Sequence, residues 1–254
     1  MKVLGVEVGD ERRKPGRRGE LRELLDRNAA LRDVFADSPA SRARLAELQK
    51  WQSQRLLKSH ADLRASPRYR AAVEFFFKEL YSGGDPRARD RDLQRVHHVM
   101  ERLLPREALR ALMLAIELEI ISQELDAEVV RGLPGGPITV ASYAEGYRHA
   151  GRRADRERQI ELLGLIGGYL DHVVRKPIIR ALVRLARGPA HAAGFGTLQE
   201  FLEPGLDAFE AMHGASEFLS TSHDRGVRAV ERVFAGTPHP FEFDARSRTA
   251  NGKK

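Results

Sequence analysis

Apolar residues recur along this chain at every third or fourth position, the spacing that gathers them on one face of an α-helix. Tyr69, Val73, Phe76, Phe77 and Leu80 make one such stripe, and Leu93, Val96, Met100 and Leu104 make the next. No segment alternates apolar and polar residues with the period of two that a half-buried strand requires. The spacing predicts helices over 20–33, 39–62, 67–81, 86–103, 105–130, 139–149, 153–174, 177–187, 197–213 and 215–235.

The punctuation agrees with that periodicity. Ser38-Pro39, Ser66-Pro67 and Asp85-Pro86 each place a capping side chain before a proline whose ring presets φ for the first helical turn. Thr197 to Glu200 has the spacing of a capping box, in which hydroxyl and carboxylate each accept a free backbone N–H. The run Gly132-Leu-Pro-Gly-Gly-Pro137 reads as a tight loop between helices. Residues 1–19 and 236–254 are aperiodic and rich in Gly, Pro and Arg or Lys, so they are expected as tails outside the fold. The reading is an all-α protein with one helical domain over 20–235.

The 105–130 segment is apolar nearly all round. Leu109, Leu112, Met113, Ile116 and Ile120 cover one side while Leu114, Leu118, Ile121 and Leu125 cover much of the other, the pattern of a central helix. Glu117 and Glu124, seven residues apart, form a narrow stripe between those faces, with Glu119 lying away from it near Gln123. A carboxylate withdrawn from water must be paired, protonated or bound to a metal. Arginines from neighbouring helices are one such partner. Another is His97, which falls on the apolar face of the 86–103 helix while His98 points away. Were His97 to face Glu117 or Glu124, a haem- or metal-binding site with a buried His/Glu set would follow.

Other motifs carry less. Carboxylate-bridged di-metal bundles need two Glu-x-x-His pairs, and only Glu210 to His213 is present. The chain lacks HExxH, the Walker loop, the G-x-S-x-G elbow and a G-x-G-x-x-G after a strand, so no catalytic residue is nominated. At the Tyr81-to-Pro86 corner Asp85 would occupy the helix N–H groups that a phosphate needs, and the Arg and Asp residues of 87–92 are placed to neutralise one another. Gly164, Gly167 and Gly168 interrupt a helical pattern, which implies close helix approach or room for a flat cofactor.

Composition narrows the class. The chain has 254 residues and no Cys, which removes disulfides, thiolate metal sites and thiol nucleophiles and fits a reducing cytoplasm. Neither a signal peptide nor a membrane span is expected. Of the net charge of +7, residues 1–20 and 236–254 carry +4; the 145–187 segment holds ten Lys/Arg against five Asp/Glu. Arg152, Arg153 and Arg156 within it are candidate anion-binding residues, and with Arg158 they are able to meet the acidic stripe or a ligand. Nucleic acid is a weaker alternative, because aromatic residues interleaved for base stacking are absent.

The stretch FFFKELYSGGDPRARDRDL, continuing through Leu104-Pro105 and Glu124-Leu-Asp126, resembles an uncharacterised helical bacterial family with an FF-x-x-x-LYG-like segment before an RD-x-DL run. RQIELLGLIGGYLD, RGPAHAAGFGTLQEFLEPGLDAFEAM and GASEFL are similar to later segments of it, and the resemblance spans about residues 70 to 235. It implies one helical domain and brings no activity or cofactor. The residues themselves point first to a non-enzymatic cytoplasmic binding or interaction protein, with a protein partner or self-association. The haem or metal binder is the alternative.

Overall fold

The structure is a computed structural model, and it describes residues 2–3, 6–7, 19–35, 38–79, 86–192 and 196–243. Among these, eleven helices follow in order: α1 (Glu20–Phe35), α2 (Pro39–Ser59), α3 (Ala61–Ala65), α4 (Arg70–Glu79), α5 (Pro86–Leu103), α6 (Arg106–Gly132), α7 (Val140–Ala150), α8 (Arg153–Val173), α9 (Pro177–Ala192), α10 (Gly196–Ala211) and α11 (Ser216–Phe234). The protein is all-α. Within the stretch expected as a tail, Lys2–Val3 pairs antiparallel with Val6–Glu7, Val3 opposite Val6. This minimal ribbon leaves the class unchanged.

Helix α6 organises the rest because its apolar residues point in every direction. Met113, Ile116 and Ile120 join Leu21 and Leu25 of α1, Leu93 of α5 and Leu198 of α10. Ala111, Leu114 and Leu118 meet Leu162, Leu165 and Tyr169 of α8. Val129, one end further on, enters a third cluster with Leu48 of α2, Tyr143 of α7 and Val230 of α11. A fourth cluster lies outside α6, where Val73 of α4, Phe209 of α10, Met212 just after it and Phe218 of α11 close around Leu63. Central placement follows from the all-round hydrophobicity.

Several helix ends form as the caps predict. The Ser38 hydroxyl accepts the Ser41 N–H at 3.1 Å with Pro39 in the first turn. The reciprocal capping box sits at Thr139 and Ser142, and Gly151 ends α7 in the left-handed region at φ 63°. At Ser66-Pro67 a turn precedes the helix: the Ser66 carbonyl accepts from Tyr69 and Arg70, and α4 starts at Arg70. Asp85 lies outside the described residues. At Thr197 the expected box gives way to a cap from elsewhere, since the Leu198 N–H donates to Asp92 Oδ2 of α5 at 3.3 Å.

Two expectations are corrected. The predicted 39–62 helix breaks at His60, whose backbone leaves the helical region at φ −121°, ψ 25° so that Leu63 can turn into a different cluster from Leu48. Residues 237–243, expected beyond the fold, return to it. Phe241 is buried, 5.6 Å from the Tyr143 ring and 6.4 Å from Trp51, with the Arg55 guanidinium 4.5 Å over its face. Burying one aromatic there outweighs the loop-like Gly and Pro around it. The loop after α6 is fastened too: Arg44 donates to the Gly136 and Pro134 carbonyls at 2.8 Å, which makes it a tight connection and not a domain joint.

Candidate functional site

Glu117 and Glu124 lie two turns apart on α6, about 10 Å along its axis, and both face a cleft bounded by α1 and α8. The cleft holds about 370 Å³. Its floor is apolar, made by Leu24 of α1 and by Met113, Ile120 and Ile121 of α6; its rim is charged. Antiparallel packing of α8 on α6 brings the arginine-rich start of α8 beside the acidic stripe.

The rim is built from reciprocal ion pairs. Glu124 accepts Arg27 on one oxygen and Arg152 on the other, each at 2.9 Å, so one carboxylate ties α1 to the start of α8 across α6. Arg152 also donates to Asp155 Oδ2 at 2.6 Å. Two turns away Glu117 Oε1 takes two donors of Arg158, at 3.0 and 2.8 Å, and Arg158 reaches Glu161 as well. Burial pushes the Glu124 carboxyl up, but the Arg152 and Arg27 hydrogen bonds outweigh it and hold the group below its ordinary value. Glu124 is therefore an ionised, doubly held group at neutral pH. The pairing of the acidic stripe with arginines anticipated from the sequence is what forms, through Arg152 and Arg158, with Arg27 of α1 as a partner that no local motif announces.

His97 is placed elsewhere. It does not line the cleft; its Nδ1 lies 2.8 Å from the Gln94 carbonyl and its ring meets His98 edge-on at 5.6 Å. Among the described residues no group of three or more His, Asp or Glu side chains converges as a metal-ligand set. Glu210 of the lone Glu-x-x-His pair is held by Arg180, and His213 closes its helix at φ 49°. The glycine run of α8 serves helix approach: a Cβ on Gly167 would stand 2.2 Å from Leu219 of α11. The corner at 81–85 lies outside the described residues.

Arg152, Arg153 and Arg156 occupy three different surroundings. Arg152 is on the cleft; Arg153 is exposed and paired with Glu157 at 2.8 Å. Arg156 is buried, its guanidinium 4.2 Å over the Tyr147 ring and donating to Gln159 Oε1 at 3.3 Å. Two residues past Glu124 and outside the cleft lining, Asp126 is also buried and accepts Gln52 at 2.8 Å. Burial raises the Asp126 carboxyl above its ordinary value, against the opposing pull of Gln52 and Arg156. The burial of Asp126 was readable from its α6 face, shared with Val129; its partners were not.

A second buried network joins α1, α5 and α6. Gln123 donates to Asn28 Oδ1 at 2.7 Å, Asn28 to Asp90 Oδ2 at 3.1 Å, and Arg32 to the same oxygen at 2.6 Å. Glu119 meets Arg89 and Arg32 on this side. Gln123 and Glu119 thus lock α1 and α5 onto α6, leaving Glu117 and Glu124 to the cleft.

No helix among the described residues is long and apolar enough to cross a membrane. No curated protein matches the chain, and no solved structure does. Residues 31–240 match a family described as a domain of unknown function, DUF8198, and these run from the end of α1 through α11. The chain belongs to that family.

Proposed function

We propose that this protein is a non-enzymatic helical binding protein, and that the α1–α6–α8 cleft takes a small ligand with an apolar body and a charged group. The cleft itself carries the reading: about 370 Å³ of space over an apolar floor, with a rim of charges already fixed in place. That volume falls within the range of pockets for small molecules, and a lining mostly of charged groups with Leu24, Met113, Ile120 and Ile121 among them suits a ligand that carries charge beside an apolar body. Preorganised ion pairs lower the ordering cost of binding.

The same pairs speak for binding over acid–base chemistry. A general acid or base works best with a value near neutrality, whereas Glu124 is held ionised by two arginines. Asp126, the acid moved the other way, is sealed in the core without access to the cleft. Because Arg27 and Arg152 neutralise Glu124, the rim has no strong excess of either sign, which favours a zwitterion or a weakly charged amphiphile over a polyanion.

Native mass spectrometry of the purified full chain, set beside its denatured mass, tests this. A mass excess released on denaturation is expected, and it should vanish when Ile121→Trp fills the cleft without removing any ion pair. A clean apo mass combined with no thermal shift from a panel of small zwitterions would overturn it.

A further inference from the structure

The two ends of the α1–α6–α8 cleft differ in what their side chains still have to offer. At one end Glu124 is taken on both oxygens, by Arg27 and by Arg152 at 2.9 Å each. Arg27 uses one nitrogen there and is 61% exposed, while Arg152 gives Nη2 to Glu124 and Nε to Asp155. A guanidinium has five N–H donors, so both arginines keep donors to spare. Asp155 keeps one oxygen, beside the Arg152 guanidinium that neutralises it. Two cations and two carboxylates balance at this end.

Two turns away the balance is different. Arg158 gives Nε and Nη2 to Glu117 and Nη1 to Glu161, so one cation answers two carboxylates. Both donors to Glu117 fall on Oε1; Oε2 receives none among the described residues. The Glu117 side chain is 33% exposed and lines the cleft. Its second oxygen is therefore an open acceptor in a set that carries one negative charge in excess. Glu20 and Arg110, the remaining charged residues of the lining, have partners of their own and are one of each sign, so they leave this difference as it is.

We propose that the cleft binds an ammonium-bearing amphiphile in one orientation, with the ammonium on Glu117 Oε2, the hydrocarbon over the apolar floor, and any carboxylate at the Arg27 and Arg152 end. The proposal rests on the cleft being a small-ligand site and adds which charge the ligand carries and where it sits. An ammonium has three donors and no acceptor, so Glu117 satisfies it and the spare arginine donors do not. Its hydrogen bond to a carboxylate is charge-assisted and among the stronger kinds. A ligand carboxylate at Glu117 would instead meet an oxygen of its own sign. Glu117 and Glu124 stand about 10 Å apart along α6, and an extended eight-carbon chain covers about that length at ordinary bond lengths.

Isothermal titration calorimetry of the full chain with octylamine, octanoate and ω-aminooctanoate decides this. Octylamine and ω-aminooctanoate should bind, and octanoate should bind at least about tenfold more weakly. Glu117→Gln keeps an oxygen for Arg158 and removes the charge; it should weaken octylamine and ω-aminooctanoate about tenfold and leave octanoate no weaker. Glu161→Gln lies outside the cleft lining and leaves Arg158 to Glu117 alone, so it should weaken octylamine in the same direction while circular dichroism shows an unchanged fold. Octanoate bound as tightly as octylamine, or octylamine affinity unchanged in both variants, would overturn the proposal. So would an equal loss of all three ligands in Glu117→Gln, which would make that residue a support of the cleft wall. Binding of octanoate alone would leave the small-ligand reading standing and sink this one, whereas no binding by any of the three, in a chain that also carries no bound mass, sinks both.

Discussion

His60 sits where one helix becomes two, and its chemistry follows from being there. It is 4% exposed, its Nδ1 reaches the Leu56 carbonyl at 2.9 Å, and Arg225 and Arg55 stand near it. A carbonyl can only accept, so Nδ1 carries a proton. Burial is the main cause that lowers the group from 6.5 to about 4, with the two arginines adding to it. A base with a depressed folded value stabilises the protein fully above its unfolded value and loses that contribution as pH falls toward the folded one. The drop from 6.5 to about 4 corresponds to a loss on the order of 3 kcal/mol. Denaturant titrations at pH 7 and at pH 5, above the carboxylate range, should show most of this decline. His60→Asn should flatten it, and an unchanged pH slope in that variant would move the titration to another group. The neighbouring Asp62 acts at lower pH: the hydrogen bonds from Arg225, at 2.8 and 2.7 Å, hold its carboxyl below the ordinary value, so its contribution disappears only under stronger acid.

At the scale of elements, close approach between helices decides more than helix propensity does. Gly167 lets α11 lie against α8 with Leu219 over the bare backbone, and Gly205 and Gly226 do the same for Phe75 and Ile160. A methyl on Gly167 would meet Leu219 Cδ2 at 2.2 Å, and Leu219 is itself buried, so part of the packing must move. Gly167→Ala should cost about 1–3 kcal/mol despite the better helix propensity of Ala. In a Leu219→Ala background that cost should largely vanish, and a double-mutant cycle by denaturant unfolding measures the coupling. The two substitutions adding independently would show that the contact is relieved by other means. Helix positions were legible because each is fixed within its own segment, by periodicity and caps such as Ser38-Pro39. The Glu117/Glu124 stripe was legible for the same reason. What joins helices was less so: Arg158 stood among the arginines able to meet the stripe, but nothing local to Arg27 says that a residue 97 positions away is its partner. His97 shows the converse, since sharing the apolar side of α5 did not bring it to the cleft.

For the molecule as a whole, the last described residues close a core that the helices leave open. Leu48, Val129, Tyr143 and Val230 come from four helices, and Phe241 fills the space between them with its carbonyl accepting from Ser59 at 3.1 Å. Arg232 holds the same segment by donating to the Glu242 carbonyl at 2.6 Å. The single tryptophan, Trp51, reports on this place because it stands 4.5 Å from the Tyr143 ring and 6.4 Å from Phe241. If 237–243 is part of the cooperative fold, removing the Phe241 ring leaves a cavity lined by all four helices. Phe241→Ala should then lower stability by about 3–4 kcal/mol, the ordinary cost of deleting a buried aromatic. Trp51 fluorescence and far-ultraviolet circular dichroism should still report one coincident transition, as a two-state unit requires. A red-shifted Trp51 with unchanged helix stability would instead make 237–243 a flap over a body complete without it. The four clusters argue for the first outcome, because α6 reaches into three of them and α11 contributes to the third and the fourth. A void opened at Phe241 is felt along both helices.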